Sequence, residues 1–314
     1  TTCLLKTGRA GLAGKRINMT KTIQANSITL AYDTAGDVNN DTVVLIRGLG
    51  TQMIDWPVAF IKTLVDAGLH VVYFDNRDVG ESQKFDHAGV PDMKTLVAKM
   101  RSGETVDTPY TLGDMAQDVI SLLSALNIEK AHIMGISMGG MIAQLVAANH
   151  PMQTQSLISI MSSSGRPDLP PPSAEASRAL TERPPAQDRE SIIKHTAANA
   201  KIFGSPGYPE DEEARLKNAA AAYDRCYYPS GIARQMAAIV TDGNRVERLK
   251  TITAPTLVIH GEDDPLVPLA AGKDTAANIP SARLEVIKGM GHNIPIALAP
   301  QLAALVAEHA KHAH

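Results

Sequence analysis

A mostly parallel central β-sheet covered by helices on both faces, with one helical insertion, is the α/β architecture predicted by this 314-residue sequence. Three observations predict it. Short β-branched apolar runs recur along the chain, as strands buried on both faces require. Helical stretches separate them, which calls for right-handed crossovers. Between about residues 165 and 250 the buried runs stop and alanine, charge and proline take over.

In chain order, Ile28–Tyr32 alternates like a half-exposed strand, and the turn chemistry of Ala35–Asp41 behind it predicts a hairpin at the sheet edge. Val43–Ile46, His70–Phe74, Ala131–Met134, Leu157–Ile160 and Thr256–Ile259 read as buried strands, and Leu284–Lys288 as a further strand. Thr111–Asp114 reads as a capping box opening a helix with apolar residues at Met115, Val119, Leu122, Leu123 and Leu126. A second helix repeats Met138, Ile142, Leu145 and Val146 until His150-Pro151 stops it. The insertion opens on the proline-rich Arg166–Pro172 and breaks again at Arg183-Pro184-Pro185. It rejoins the sheet at Ala254-Pro255. A long insertion on the carboxyl side of a parallel sheet predicts a cap or lid. The expected organisation is a core of residues 19–164 and 251–314 with a cap over 165–250. Residues 1–18, ahead of a start-like Met19, are read as a leader outside the fold.

Composition narrows the function classes. The chain carries 30 basic and 33 acidic residues for a net charge of -3, without long single-sign blocks. That excludes an electrostatic footprint for nucleic acid or an anionic membrane. A run of about 18 apolar residues, as a membrane span needs, is absent, and residues 1–18 lack a secretory apolar region. Cys3 and Cys226 give neither a disulfide framework nor metal-ligand spacing, so a cytoplasmic protein without metal or cofactor is expected. The expected partner is a small-molecule ester substrate; a homo-oligomer stays open.

The chemistry concentrates at His132–Met141, a short apolar strand running into Gly135-Ile136-Ser137-Met138-Gly139 and then into a helix. Gly-x-Ser-x-Gly alone is a weak signal, but strand, turn and helix together form the setting that lifts a serine Oγ above a sheet. Close backbone approaches on both sides explain Gly135 and Gly139. Such a serine needs a base and a third group that fixes the base's tautomer. Of the ten histidines, His292 stands at a strand's carboxyl end behind Gly289-Met290-Gly291 with a helix following. His260 is its rival, and its place just before an acidic turn suits a supporting role. Among Glu262, Asp263 and Asp264, the residue before Pro265 is held extended, which favours Asp264 as the acid with Asp263 as runner-up. Backbone N–H groups of Met138 and of Leu49, in the loop Arg47-Gly48-Leu49-Gly50, are the expected oxyanion donors.

Taken together, Phe74–Ser82, Gly135–Gly140, Ala254–Ile259 with Asp264-Pro265, and Gly289–His292 resemble the α/β-hydrolases. Within that superfamily the chain is similar to the aclacinomycin methylesterase type of small serine esterase, from about Ile28 to Pro295. The resemblance implies Ser137 as nucleophile, Asp264 as acid and His292 as base, matching the reading from the residues. One departure is Arg47-Gly48 where many relatives have histidine-glycine; Arg47 is either a loop anchor or a charge at the site's mouth. Trp56, Tyr223, Tyr227 and Met236 are the candidate substrate contacts; Trp56 alternatively belongs to the core, and Tyr223, Tyr227 and Met236, with Phe203, Tyr228 and Ile239, form either a pocket wall or the lid's own core. The expected activity is hydrolysis of small to medium carboxylic esters through an acyl-enzyme. A ligand receptor with slow turnover, and carbon–carbon bond hydrolysis, perhydrolysis or lactone opening, are the alternatives.

Overall fold

A tight turn sets the first edge of the sheet. Asn26 and Ser27 both hold positive φ (51° and 62°), the left-handed pair that a two-residue hairpin needs. Strand β1 (Lys21–Ala25) therefore folds back antiparallel on β2 (Ile28–Ala35). A computed structural model describes residues 20–313, and the leader expected over 1–18 lies outside them. The hairpin thus precedes Ile28, correcting the expectation of one through Ala35–Asp41. The reason is burial: β3 (Thr42–Ile46) is buried at every position and takes a central place, leaving β2 to pair antiparallel with β4 (His70–Phe74).

Eight strands follow the order β1-β2-β4-β3-β5-β6-β7-β8, with β5 at Ala131–Ile136, β6 at Thr154–Ile160, β7 at Thr256–Gly261 and β8 at Arg283–Ile287. From β4 to β8 every pairing is parallel. Register aligns Ile46 of β3 with Gly135 of β5, and Ile136 with Ile160 of β6. The strand ends that carry chemistry are thereby level.

Helices cover both faces. In order they are α1 (Val58–Asp66), α2 (Met93–Arg101), α3 (Leu112–Ala125) and α4 (Met138–Asn149). Then come α5 (Ala174–Thr181), α6 (Arg189–Phe203), α7 (Glu212–Arg225), α8 (Pro229–Asp242) and α9 (Val246–Leu249), and finally α10 (Leu269–Asn278) and α11 (Ala299–Lys311). The predicted capping box opens α3: Asp114 N donates to Thr111 Oγ1 (3.1 Å) and Thr111 N donates to Asp114 Oδ2 (2.7 Å). Strand alternation divides the core. Val44, Ile46 and Ile133 meet Val119, Leu122 and Ile142 on one face. Val43, Leu45 and Met134 meet Phe60, Leu64, Leu302 and Val306 on the other. Each such burial contributes roughly 1.5–3 kcal/mol.

Between β6 and β7 the helices α5 to α8 are inserted, the segment called the cap below, with irregular backbone at its prolines, while α9 packs back on α4 and α10. Ser173, Asp188 and Asp211 cap α5, α6 and α7 through their side chains. The cap's own apolar cluster is small, built on Ile193, Ala197 and Ala219. Ion pairs with the loop after β4 fasten it instead. Arg234 on α8 grips both oxygens of Asp78 (2.7 and 2.9 Å), and Arg225 at the end of α7 reaches Asp75 (2.6 Å) and Glu81 (3.1 Å). Among the described residues, no helix is long and apolar enough to cross a membrane, and no group of three His, Cys, Asp or Glu side chains could hold a metal ion.

Candidate active site

Where β5 turns into α4, Ser137 sits at φ 55°, ψ -122°, a conformation that costs a non-glycine residue about 1–3 kcal/mol. Surrounding bonds enforce it. Ser137 N donates to Ile160 O (3.0 Å) and Ser162 Oγ donates to Ser137 O (2.8 Å). The flanking glycines serve close approach, since a Cβ on Gly135 would lie 1.9 Å from Gly139 O and one on Gly139 2.2 Å from Ile46 O. The serine is thus raised at the α4 N-terminus, whose first N–H groups have no partner inside the helix.

Two loops bring the other groups to it. His292 Nε2 lies 3.0 Å from Ser137 Oγ, and His292 Nδ1 lies 2.7 Å from Asp264 Oδ2. Of the three neighbouring carboxylates, Asp264 is the one that meets the imidazole. Its other oxygen accepts N–H bonds from Leu266 (2.9 Å) and Val267 (2.7 Å), so the carboxylate cannot swing away. An Nδ1–H bound to that carboxylate leaves Nε2 free to accept the serine proton. His260 takes a supporting place: its buried Nε2–H donates to Val267 O (2.7 Å) and tightens the turn that holds Asp264. Burial holds the His260 imidazole below its ordinary pKa, despite the Val267 carbonyl and Asp264 pulling the other way.

On the opposite side of Ser137 runs the loop after β3. A Cβ on Gly48 would lie 3.2 Å from Ser137 Cβ, so Leu49 and Met138 belong to the two segments that flank the hydroxyl. This loop is tethered twice. Asn76 Nδ2 donates to Arg47 O (3.0 Å), and Gln235 of α8 accepts from Gly50 N (2.9 Å) while donating to Arg77 O (2.8 Å). The Arg47 side chain is engaged beside its own loop: its guanidinium lies 4.8 Å above the Trp56 ring and its Nε–H donates to Thr51 Oγ1 (3.3 Å). Burial depresses its pKa, with Asp55 opposing. These contacts are the ones expected of a loop anchor.

Comparison with known proteins shows the family and the fold. The family model for the alpha/beta hydrolase fold matches residues 41–297. The chain belongs to the α/β-hydrolase fold family. It is 27% identical over 311 residues to rhodomycin D methylesterase of Streptomyces peucetius, covering 93% of this chain and 98% of that one. It is also 27% identical over 260 residues to a 2-hydroxy-6-oxononadienedioate/2-hydroxy-6-oxononatrienedioate hydrolase of Cupriavidus pinatubonensis, covering 80% of each. Among solved structures, a meta-cleavage product hydrolase from Pseudomonas fluorescens aligns with a TM-score of 0.74 at 21% identity, over 95% of this chain and 100% of that one. A thermophilic esterase from Thermogutta terrifontis aligns at 0.68 and 22%, over 94% and 99%. These two likenesses speak for the fold.

Within this α/β-hydrolase a cavity of about 140 Å3 lies between core and cap. Gly50, Gln52 and Asp78–Gly80 form its core side; Ile192, Tyr223, Tyr227, Tyr228 and Ile232 are among the cap residues around it. Tyr223 and Tyr227 stack with ring centroids 5.1 Å apart. Two expected contacts fall elsewhere. Trp56 is 3% exposed, with Phe60 stacked 5.5 Å away and Arg47 over its ring, so its faces are spoken for in the core. Met236 is half-buried on α8 but does not line this cavity. Sequence reasoning passed over Arg225, Arg234, Gln235, Asn76 and Ser162, which fix the site's surroundings. Their one sequence signal was the charge-dense Asp75-Asn76-Arg77-Asp78, which needs buried partners if its loop is to pack.

Proposed function

We propose that the protein hydrolyses carboxylic esters, with Ser137 as nucleophile, His292 as general base and Asp264 as the group that orients the imidazole. The single observation that carries this reading is the unbroken chain Ser137 Oγ, His292, Asp264 at 3.0 and 2.7 Å. The Ser137 proton passes to Nε2 as Oγ bonds to the ester carbonyl carbon. N–H groups of Leu49 and Met138 receive the resulting oxyanion, each donor being worth about 10²- to 10³-fold in rate. Collapse expels the alcohol, which takes the proton from His292; water, deprotonated by the same imidazole, then releases the acid. The chemistry needs no cofactor. Similarity to a methylesterase over nearly the whole length supports an ester as substrate, and the tyrosine-lined cavity, which reaches Gly50 beside Leu49 but is not lined by Ser137 or His292, is the proposed place for the far end of the substrate's apolar part.

Hydrolysis of p-nitrophenyl esters by the purified protein, with multiple turnovers and a chain-length panel, tests the reading. Ser137→Ala is expected to lose at least about 10⁴-fold in kcat; undiminished turnover sinks the assignment. A second reading, carbon–carbon bond hydrolysis of a 2-hydroxy-6-oxo dienedioic acid, rests on the similarity to the 2-hydroxy-6-oxononadienedioate hydrolase. Turnover of such an acid with no turnover of any ester favours it.

A further inference from the structure

The loop that presents His292 is gripped from the cap. Strand β8 ends at Ile287, and the four residues between it and His292 lie outside any helix or strand. Residues 203–207, the end of α6 and the turn after it, run alongside them. Phe203 O accepts from His292 N (2.7 Å), and Gly289 O accepts from Gly207 N (2.8 Å). Between these, Ser205 Oγ accepts from Gly291 N (2.8 Å) and donates to Asn293 Oδ1 (2.6 Å). One hydroxyl, on a residue only 3% exposed, therefore holds both chain neighbours of His292. The glycines around the histidine owe their size to this seam: a Cβ on Gly291 would lie 2.2 Å from Gly204 O, and one on Gly207 2.8 Å from Gly289 Cα.

Asp264 fixes the far side of the imidazole, yet it cannot fix the backbone from which the ring hangs. With the hydroxyl gone, Gly291 N–H is left buried without a partner and the loop shifts to satisfy it. The Nε2 to Ser137 Oγ contact is what such a shift lengthens. We propose that Ser205 is a positioning residue that sets His292 over Ser137, so that core and cap assemble the base jointly. The inference rests on His292 acting as base, the reading given above.

Ser205→Ala and Ser205→Thr, with kcat, KM and the pH profile measured on p-nitrophenyl acetate, test it. Displacements below 1 Å cost up to about 10²-fold, so Ser205→Ala is expected to lower kcat by about 10- to 100-fold with KM within about twofold. The acid limb of kcat is expected to move, because Asp264 and His260, the titratable groups facing the ring, would no longer be met at their native distances. Ser205→Thr, which keeps the hydroxyl, should recover most of the loss. A lowered melting temperature with kcat and acid limb unchanged overturns the proposal, as does an effect confined to KM. If Ser205→Ala does not fold, Asn293→Ala removes one arm of the clamp and is expected to show a smaller loss of the same kind; no loss overturns it. If the wild type hydrolyses no ester, the functional reading fails separately. The NMR titration of the His292 ring then decides: an unchanged curve in Ser205→Ala refutes positioning.

Discussion

Replacing Arg234 with methionine removes a cation that is 1% exposed and faces a carboxylate that is wholly buried. At 2.7 Å and an effective dielectric constant of about 20, their attraction is on the order of 6 kcal/mol. The cost of drying two ions cancels much of that, so a well-packed apolar pair would be nearly as stable. Removing one partner is different. It leaves Asp78 charged and buried, at a typical cost of about 3–5 kcal/mol. Asp78 keeps bonds from Phe85 N (2.8 Å) and Tyr110 Oη (2.7 Å), which places the expected loss near the lower end. Gly89 O and the Tyr228 hydroxyl, both partners of the guanidinium, lose a donor as well. Urea unfolding at pH 7 reads the change, provided that the dependence on denaturant is unaltered. Asp78→Asn combined with Arg234→Met is expected to recover a substantial part of the stability, giving a favourable coupling in the double-mutant cycle. A loss under about 1 kcal/mol, or simple additivity of the two changes, would refute the idea that ion pairing fastens the cap.

Gly139→Ala is expected to destabilise by at least about 1–3 kcal/mol and to lower kcat, because its Cβ would meet Ile46 O at 2.2 Å and Arg47 O at 2.6 Å; calorimetry and an ester assay check both. For His260, burial lowers the folded-state pKa below the ordinary value of about 6.5. The folded protein then binds fewer protons than the unfolded chain, so this stabilisation is complete above about pH 6.5 and is lost as pH falls toward the folded value. His260→Gln should flatten the fall in unfolding free energy between pH 7 and pH 5 by up to about 1.4 kcal/mol per pH unit. An unaltered slope would place the proton uptake elsewhere, with His70, His150 and His309, also lowered by burial, as the sources.

Most of the core was legible because burial writes directly into the chain. Val43–Ile46 and Thr256–Ile259 can only be strands wet on neither face, and Ser137, Asp264 and His292 are each marked by local punctuation: flanking glycines, a following proline, a preceding Gly-x-Gly. The β1–β2 hairpin was missed because Asn26-Ser27 is a left-handed turn without glycine, and because the short Lys21–Ala25 strand is largely exposed. Trp56 was open in the sequence for another reason: an aromatic residue near a catalytic loop looks the same whether its ring faces ligand or core. The cap's anchors were invisible since Arg234 and Gln235 sit in a helix whose polar residues ordinarily face water, and only the folded chain reveals the carboxylate and peptide groups awaiting them.

Gln235 has a practical corollary for anyone who would transplant lids between such enzymes to change selectivity. A donor lid lacking an amide at that point would arrive with good walls and an unsupported Gly50, and the recipient's turnover would suffer even where its new substrate fits. Grafts that carry this one side chain across should outperform those chosen on wall shape alone.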